Sequence, residues 1–333
     1  MRGRWRSNLA AVLVLVAAAT LGARQPAGDG RGGAWTARPY RGVTVMARTW
    51  SMPRPIRAHI AVVDLSTRGI RVSVTPPGGS REVVRETTVG ALARAGAQLA
   101  VNGHFFLPFP SDDADAWVVG LAASEGRVYS AFESPEQNFA IVADAPALRF
   151  DRRQRARIVH RRPGSDGRGV RERGTVWNAV AGSAQIVTAG AVTIPVYRDA
   201  AHPDGALVPG PEGRYSNARS WYDVVTARTV AGLSRDRRRL TLFTVDARGG
   251  SDGMTLGEVA ALLVRDFGVW DALNLDGGGS TSMAWRDPAT GAAALLNTSS
   301  DSPGGRKVAT NLLVFAEPVA DGAARAPGLT PVP

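Results

Sequence analysis

No cysteine occurs among the 333 residues. That absence excludes thiol nucleophiles, thiolate zinc sites and disulfide staples. Histidine is nearly as scarce, with four in all (His59, His104, His160 and His202) and none at metal-ligand spacing. A histidine-rich metal centre is therefore not expected; the sequence requires no cofactor, and nothing in it supports a divalent metal. The one long apolar run, residues 9–20, is too short to span a bilayer comfortably. What remains is a chain that is 44% hydrophobic, enough for a substantial core, and neither disordered, collagen-like nor polytopic. Its chemistry must come from Asp, Glu, Asn, Arg, Ser and Thr.

The apolar run follows Arg2, Arg4 and Arg6 and ends in small residues near Gly22 and Ala23. This is the layout of a secretory signal peptide over 1–23, so export to the periplasm, cell surface or exterior is expected. An uncleaved N-terminal anchor is the alternative. No other transmembrane segment is expected. Residues 24–40, rich in Gly, Arg, Ala and Pro, read as a linker, and 318–333 as a disordered tail. Residues 41–317 are left as one domain.

The net charge of +11 is unevenly spread. Ten arginines fall between 149 and 173, against Asp151, Asp166 and Glu172. The segment reads as a solvated, partly mobile loop, with a docking patch for an anionic polymer as the sharper alternative. It has no interleaved aromatics and no nucleic-acid motif, so DNA or RNA is not an expected partner. Asp112, Asp113 and Asp115 lack the spacing of a calcium loop and read as solvated loop.

Short β-rich runs recur at 43–49, 59–65, 70–75, 99–102, 139–143, 185–188, 224–232, 240–246, 272–275 and 312–315. The polar SRDRRR between two of them suits a hairpin. Two helices are expected. The stronger, 254–267, opens with Thr255 and Glu258 at capping-box spacing and closes at Gly268; the weaker is 88–95. The fold class expected is α+β, a single domain on mixed or antiparallel sheet with a few packed helices.

Each helix leads into a strand that ends in a polar, glycine-bearing loop: NGHFF at 102–106 and NLDGGGSTS at 274–282. Asn274 and Asp276 lie two apart at a strand end and so project to one face. Gly277, Gly278 and Gly279 allow close approach of a ligand to the main chain, and Ser280 and Thr281 add hydroxyls. A carboxylate followed by a glycine nest can hold an oxyanion while the acid moves a proton. It is not a nucleotide P-loop, for the spacing and lysine are missing. Asn102, Arg228 with Thr229, Asp246 and Arg306 are weaker candidates, each also readable as a turn or ion-pair residue.

In this order, NGHFF, VVTARTVAG, LFTVDARGGSDGMTLGEVAALL, DALNLDGGGSTSM and GGRKVATNLLVF resemble the phosphodiester glycosidase family over roughly 60–316. His104 and the arginine segment depart from the family pattern. The resemblance implies hydrolysis of a sugar-1-phosphodiester to a free sugar and a phosphomonoester. The residues can be fitted to that reaction. Arg228 or Arg306 would bind phosphate through a planar fork. Asp276 would act as nucleophile or general base with Asp246 as partner, and Asn102 and Asn274 would orient sugar or water. Two alternatives stay open: a metal-dependent phosphodiesterase, and a non-catalytic binder of anionic envelope polymers.

Overall fold

Leu240 and Leu242 point to one side of their strand, Phe243 and Val245 to the other, and both sides are buried. A strand apolar on both faces belongs inside a sheet that is covered twice. The computed structural model, which describes residues 34–132, 145–195 and 221–319, places it in an eight-stranded sheet. The order across that sheet is Trp35–Tyr40, Val43–Trp50, Ile56–Asp64, Arg239–Val245, Arg228–Leu233, Asp271–Asn274, Ala184–Thr188 and Ala191–Val192. Every neighbouring pair runs antiparallel.

One face of this sheet is covered by the helix Leu256–Phe267, and the other by two five-stranded antiparallel sheets. The first has Leu99–Asn102 at its centre, flanked by Met283–Arg286 and Asn311–Phe315. The second includes Asn178–Ala181, Ala147–Phe150 and Ala156–Val159. Val101, Leu312, Leu148 and Val180 from these sheets share a core with Leu240 and Leu242. Helix α1 (Thr88–Ala95) closes the stack, packing Ala91 and Leu92 on Ala100, Ala284 and Leu313. Helix α2 (Leu256–Phe267) packs Val259, Ala260 and Leu263 against Ile60, Val230 and Phe243.

The helix ends follow the sequence. Thr255 and Glu258 form the reciprocal capping box, and Gly268 ends α2 in the left-handed region at φ 59°. The expected hairpin is present, with Leu233 opposite Leu240. The expected α+β class holds coarsely. The chain is β-rich, with two α-helices among the described residues and antiparallel pairing throughout.

Three expectations need correction. Trp35–Tyr40 is an edge strand, so the linker read over 24–40 does not extend through it; Tyr40 also bridges to Pro318, at the start of the expected tail. The arginine segment is not simply a loop, because Ala147–Phe150 and Ala156–Val159 form a hairpin on an ordered sheet. Within it Arg149 is only 6% exposed and donates to the carbonyls of Arg173 and Thr175 at 3.1 and 3.2 Å. The acidic cluster is solvated loop only in part: Asp112 and Asp113 are exposed, Asp113 pairing with Arg81 at 2.8 Å, but Asp115 begins a strand and accepts from Ser80. The expected signal peptide, the strand run at 139–143 and residues 320–333 of the tail lie outside the described residues.

Candidate active site

Leu99–Asn102 and Asp271–Asn274 belong to different sheets, yet the loops leaving them meet. The Asp276 N–H donates to the Gly103 carbonyl at 3.0 Å, and Asn102 Nδ2 donates to the Asp276 carbonyl at 2.6 Å. Asn102 Oδ1 accepts from the Thr229 hydroxyl at 2.7 Å and from the Ser282 N–H at 3.0 Å. Asn102 and Thr229 are completely buried. Their polar groups hold loops together, so the sugar- or water-orienting role expected of Asn102 is not what the structure offers.

Beside this junction lies a cavity of about 540 Å³. Its polar lining includes Ser183, Asn274, Asp276, Ser280 and Arg306, together with Gly277, Gly278 and Gly279. Its apolar lining comes largely from residues 105–110 and Trp221. The two linings meet where the Arg306 guanidinium lies 4.8 Å from the centre of the Phe109 ring.

Asp276 faces this cavity and is half-buried. Its Oδ1 accepts the Gly277 N–H at 2.9 Å. Loss of hydration pushes its carboxyl up to about 7, against the opposing pull of the Ser280 hydroxyl, the Gly277 N–H and the Arg306 charge. Asn274 is oriented by a 2.8 Å hydrogen bond from its Nδ2 to Ser183 Oγ. Its Oδ1 is buried and has no partner among the described residues.

The glycine turn is tighter than the expected open nest. The N–H of Gly278 donates to the Ala227 carbonyl at 2.8 Å, and those of Ser280 and Thr281 close a 3₁₀ turn onto Gly277 and Gly278. Gly279 is where bulk would be costly, since a Cβ there would lie 2.3 Å from Arg306 Nη2. Arg306 therefore packs flat on the turn, bonded to Asp301 at 2.6 Å and to Ser280 Oγ at 3.4 Å.

Three more of the expected site residues take other roles. Arg228 touches the cavity, but its Nε donates to the Met254 carbonyl at 3.0 Å and its Nη2 to the carbonyls of Trp221 and Val224. That edge of the fork is occupied by backbone, which corrects the expectation of a bidentate phosphate contact there. Burial lowers its pKa to about 10. Asp246 is fully buried and absent from the cavity wall. Its Oδ2 accepts the Thr298 N–H at 3.1 Å, and burial raises its carboxyl to about 7. Thr281 is also off the wall, its carbonyl accepting from Asn297 Nδ2 at 3.2 Å.

Sequence reasoning missed Ser183, Gly182 and the apolar lining. The FFLPFP run at 105–110 carried a signal, because two prolines in so apolar a stretch argue against a central strand. Gly182 is required by closeness: a Cβ there would lie 2.0 Å from the Asn274 carbonyl oxygen. Buried His104, pushed down to about 4, spans Thr310 and Ala181 and acts in packing. Among the described residues no group of three His, Asp or Glu side chains gathers in a way that could hold a metal.

The phosphodiester glycosidase family model matches residues 95–315. The zebrafish N-acetylglucosamine-1-phosphodiester alpha-N-acetylglucosaminidase catalytic domain, auto-inhibited by its pro-peptide, shares the fold at a TM-score of 0.55 and 19% identity. The match covers 85% of this chain and 88% of that one. A hypothetical protein from Synechocystis aligns at a TM-score of 0.55 and 15% identity, over 85% of this chain and 64% of its own. No curated protein matches in sequence. With the family match running over most of its length, the chain belongs to the phosphodiester glycosidase family, hydrolases of phosphodiester-linked sugars.

Proposed function

We propose that the cavity hydrolyses a sugar-1-phosphodiester at the glycosidic bond, releasing a free sugar and a phosphomonoester. The observation that carries this reading is that Asp276 and Arg306 line one cavity together, with the glycine turn and Ser280 between them. Cleavage at the anomeric carbon beside a phosphate needs such a pair: a cation for the phosphate and a carboxylate for the carbon or its attacking water. A guanidinium binds phosphate oxygens with directional donors, so Arg306 takes this role in place of Arg228.

In the reaction a water oxygen bonds to the anomeric carbon. The carbon–oxygen bond to phosphate breaks, and its electron pair leaves with the phosphomonoester. Asp276 either takes the water's proton as general base or first bonds to the carbon as nucleophile. A phosphate leaving group needs little protonation, so one carboxylate suffices. Asn274, on the cavity wall beside Asp276, helps to shape the sugar's place. Asp246 acts at a distance by fixing Thr298 at the start of the loop that carries Asp301 and Arg306.

The arginine-rich N-terminal run and apolar stretch support an exported enzyme acting on an envelope or extracellular glycan. Exposed Arg153, Arg168 and Arg173 would give an anionic polymer a second point of contact. The test is turnover of a panel of sugar-1-phosphodiesters by purified protein in ¹⁸O-labelled water. Label in the sugar is the expected result. Label in the phosphate, with loss of activity on adding a chelator, would mean a metal-dependent phosphodiesterase instead.

A further inference from the structure

We infer that the group esterified to the far side of the substrate's phosphate is a hydrocarbon alcohol, seated on the apolar lining around Phe109 and Trp221. The inference rests on reading the cavity as a glycosyl phosphodiester site, and it names the half of the substrate that the polar residues leave undefined.

The first observation is chemical. Phe105, Phe106, Leu107, Phe109 and Pro110 all line the cavity, and none of them has a side-chain hydrogen-bonding group. A sugar or glycerol lying here would lose water from its hydroxyls without gaining partners from these five side chains, whereas a hydrocarbon loses nothing.

The second is exposure. Phe109 is 47% exposed and Trp221 50%, and both line the cavity. Apolar surface gathered at the opening of a cavity marks a place where something apolar docks.

The third is order. The Arg306 guanidinium bonds to Ser280 at 3.4 Å, shares the cavity with Asp276, and lies over the Phe109 ring at 4.8 Å. An anion held by Arg306 thus has the carboxylate on one flank and an aromatic ring on the other. Phe109 meets Phe106 edge to face at 5.9 Å, and Arg85 covers Phe106 at 5.0 Å. With its sugar against Asp276, the phosphate directs its second ester group onto these rings. Hydrolysis then releases the sugar and leaves a hydrocarbon phosphomonoester.

The test uses one sugar in two soluble diesters, the hexyl and the glyceryl phosphodiester, with the full-length protein. We expect kcat/KM for the hexyl compound to exceed that for the glyceryl compound at least tenfold, as several methylenes leave water. Phe109→Ser and Trp221→Ser should each move this ratio toward one. Hydrolysis of both compounds at equal rates would overturn the hydrocarbon inference and leave the glycosidase reading standing. Failure to hydrolyse either would overturn that reading. The inference would then be judged by calorimetry, where hexyl phosphate must still bind more tightly than glycerol phosphate or the inference fails as well. A third arm carries the same sugar phosphate on a long-chain alcohol in phosphatidylcholine vesicles. Cleavage there assigns the hydrocarbon to a membrane lipid, and cleavage of the hexyl diester alone assigns it to a soluble alcohol.

Discussion

Asn102 and Asp276 are joined across 174 residues of chain by a 2.6 Å hydrogen bond from the Asn102 side chain to the Asp276 main-chain carbonyl. The bond ties a strand end in one sheet to a strand end in another, and it fixes the backbone from which the candidate catalytic carboxyl projects. The same asparagine accepts from Thr229 and Ser282, so its removal strands three buried groups together.

Replacing Asn102 by Ala is therefore expected to lower stability by about 1–3 kcal/mol for each group left without a partner. Denaturant unfolding measures it. Turnover should fall along with stability. An Asn102→Ala protein of unchanged stability but raised KM would return Asn102 to the sugar-contacting role.

Arg228 carries a related expectation. Its guanidinium reaches three main-chain carbonyls that no single ammonium can span. Arg228→Lys and Arg228→Ala should both reduce the melting temperature and loosen the turn that presents Trp221. Affinity for inorganic phosphate, read by calorimetry in whatever fraction remains folded, should change much less than it does in Arg306→Ala. Equal loss of phosphate affinity in both would restore Arg228 as an anion ligand.

How far the sequence could be read depended on whether the signal was local. The α2 capping box and the Leu233–Leu240 hairpin depend on neighbours in sequence, and both were legible. So was the prominence of Asp276, because Asn274 and Asp276 stand at a strand end beside three glycines. Partners were not legible. A buried arginine that serves carbonyls and one that serves phosphate look alike in a strand pattern, and only packing separates Arg228 from Arg306. The hairpin that orders Arg149 was hidden for a similar reason: its strands are four residues each, and arginines interrupt their apolar alternation.

The basic hairpin and the loop after it should matter for polymers and not for chemistry. Changing Arg153, Arg168 and Arg173 to Gln is expected to weaken retention on an anionic polymer, with a smaller dependence on salt. Turnover of a small soluble diester should stay within about twofold. A large loss on the small substrate would place the segment in the active site.

Asp246 makes a prediction about pH and stability. Its carboxyl is held up at about 7 when folded, against an ordinary aspartate value of 3.8. The folded state therefore keeps a proton that the unfolded state has lost between those values, so stability falls as pH rises from about 4 to about 7. Asp276, raised in the same direction, adds to the slope. Asp246→Asn retains an oxygen for the Thr298 N–H and has no proton to lose. Its unfolding free energy should vary less with pH across this window, and its disadvantage relative to wild type should shrink or reverse by pH 8. A slope identical to that of wild type would show that Asp246 does not titrate in the folded protein.

Asp276 decides the chemistry. The side chain already serves as a turn residue, with Oδ1 accepting the Gly277 N–H, and asparagine can do that equally well. Asp276→Asn thus keeps the turn and removes the charge and the basicity. As nucleophile or base, Asp276 works only as the carboxylate, and with the carboxyl raised to about 7 the wild-type kcat/KM should climb through neutral pH and level off above it. In Asp276→Asn the rate constant should fall at least about a hundredfold. Inhibition by the phosphomonoester product should persist, because Arg306 and Ser280 are untouched. A variant that keeps most of its turnover would confine Asp276 to the turn. A wild-type rate that falls instead of rising through pH 7 would make its protonated form the active one, and Asp276 would then be a general acid that delivers its proton to the departing phosphate.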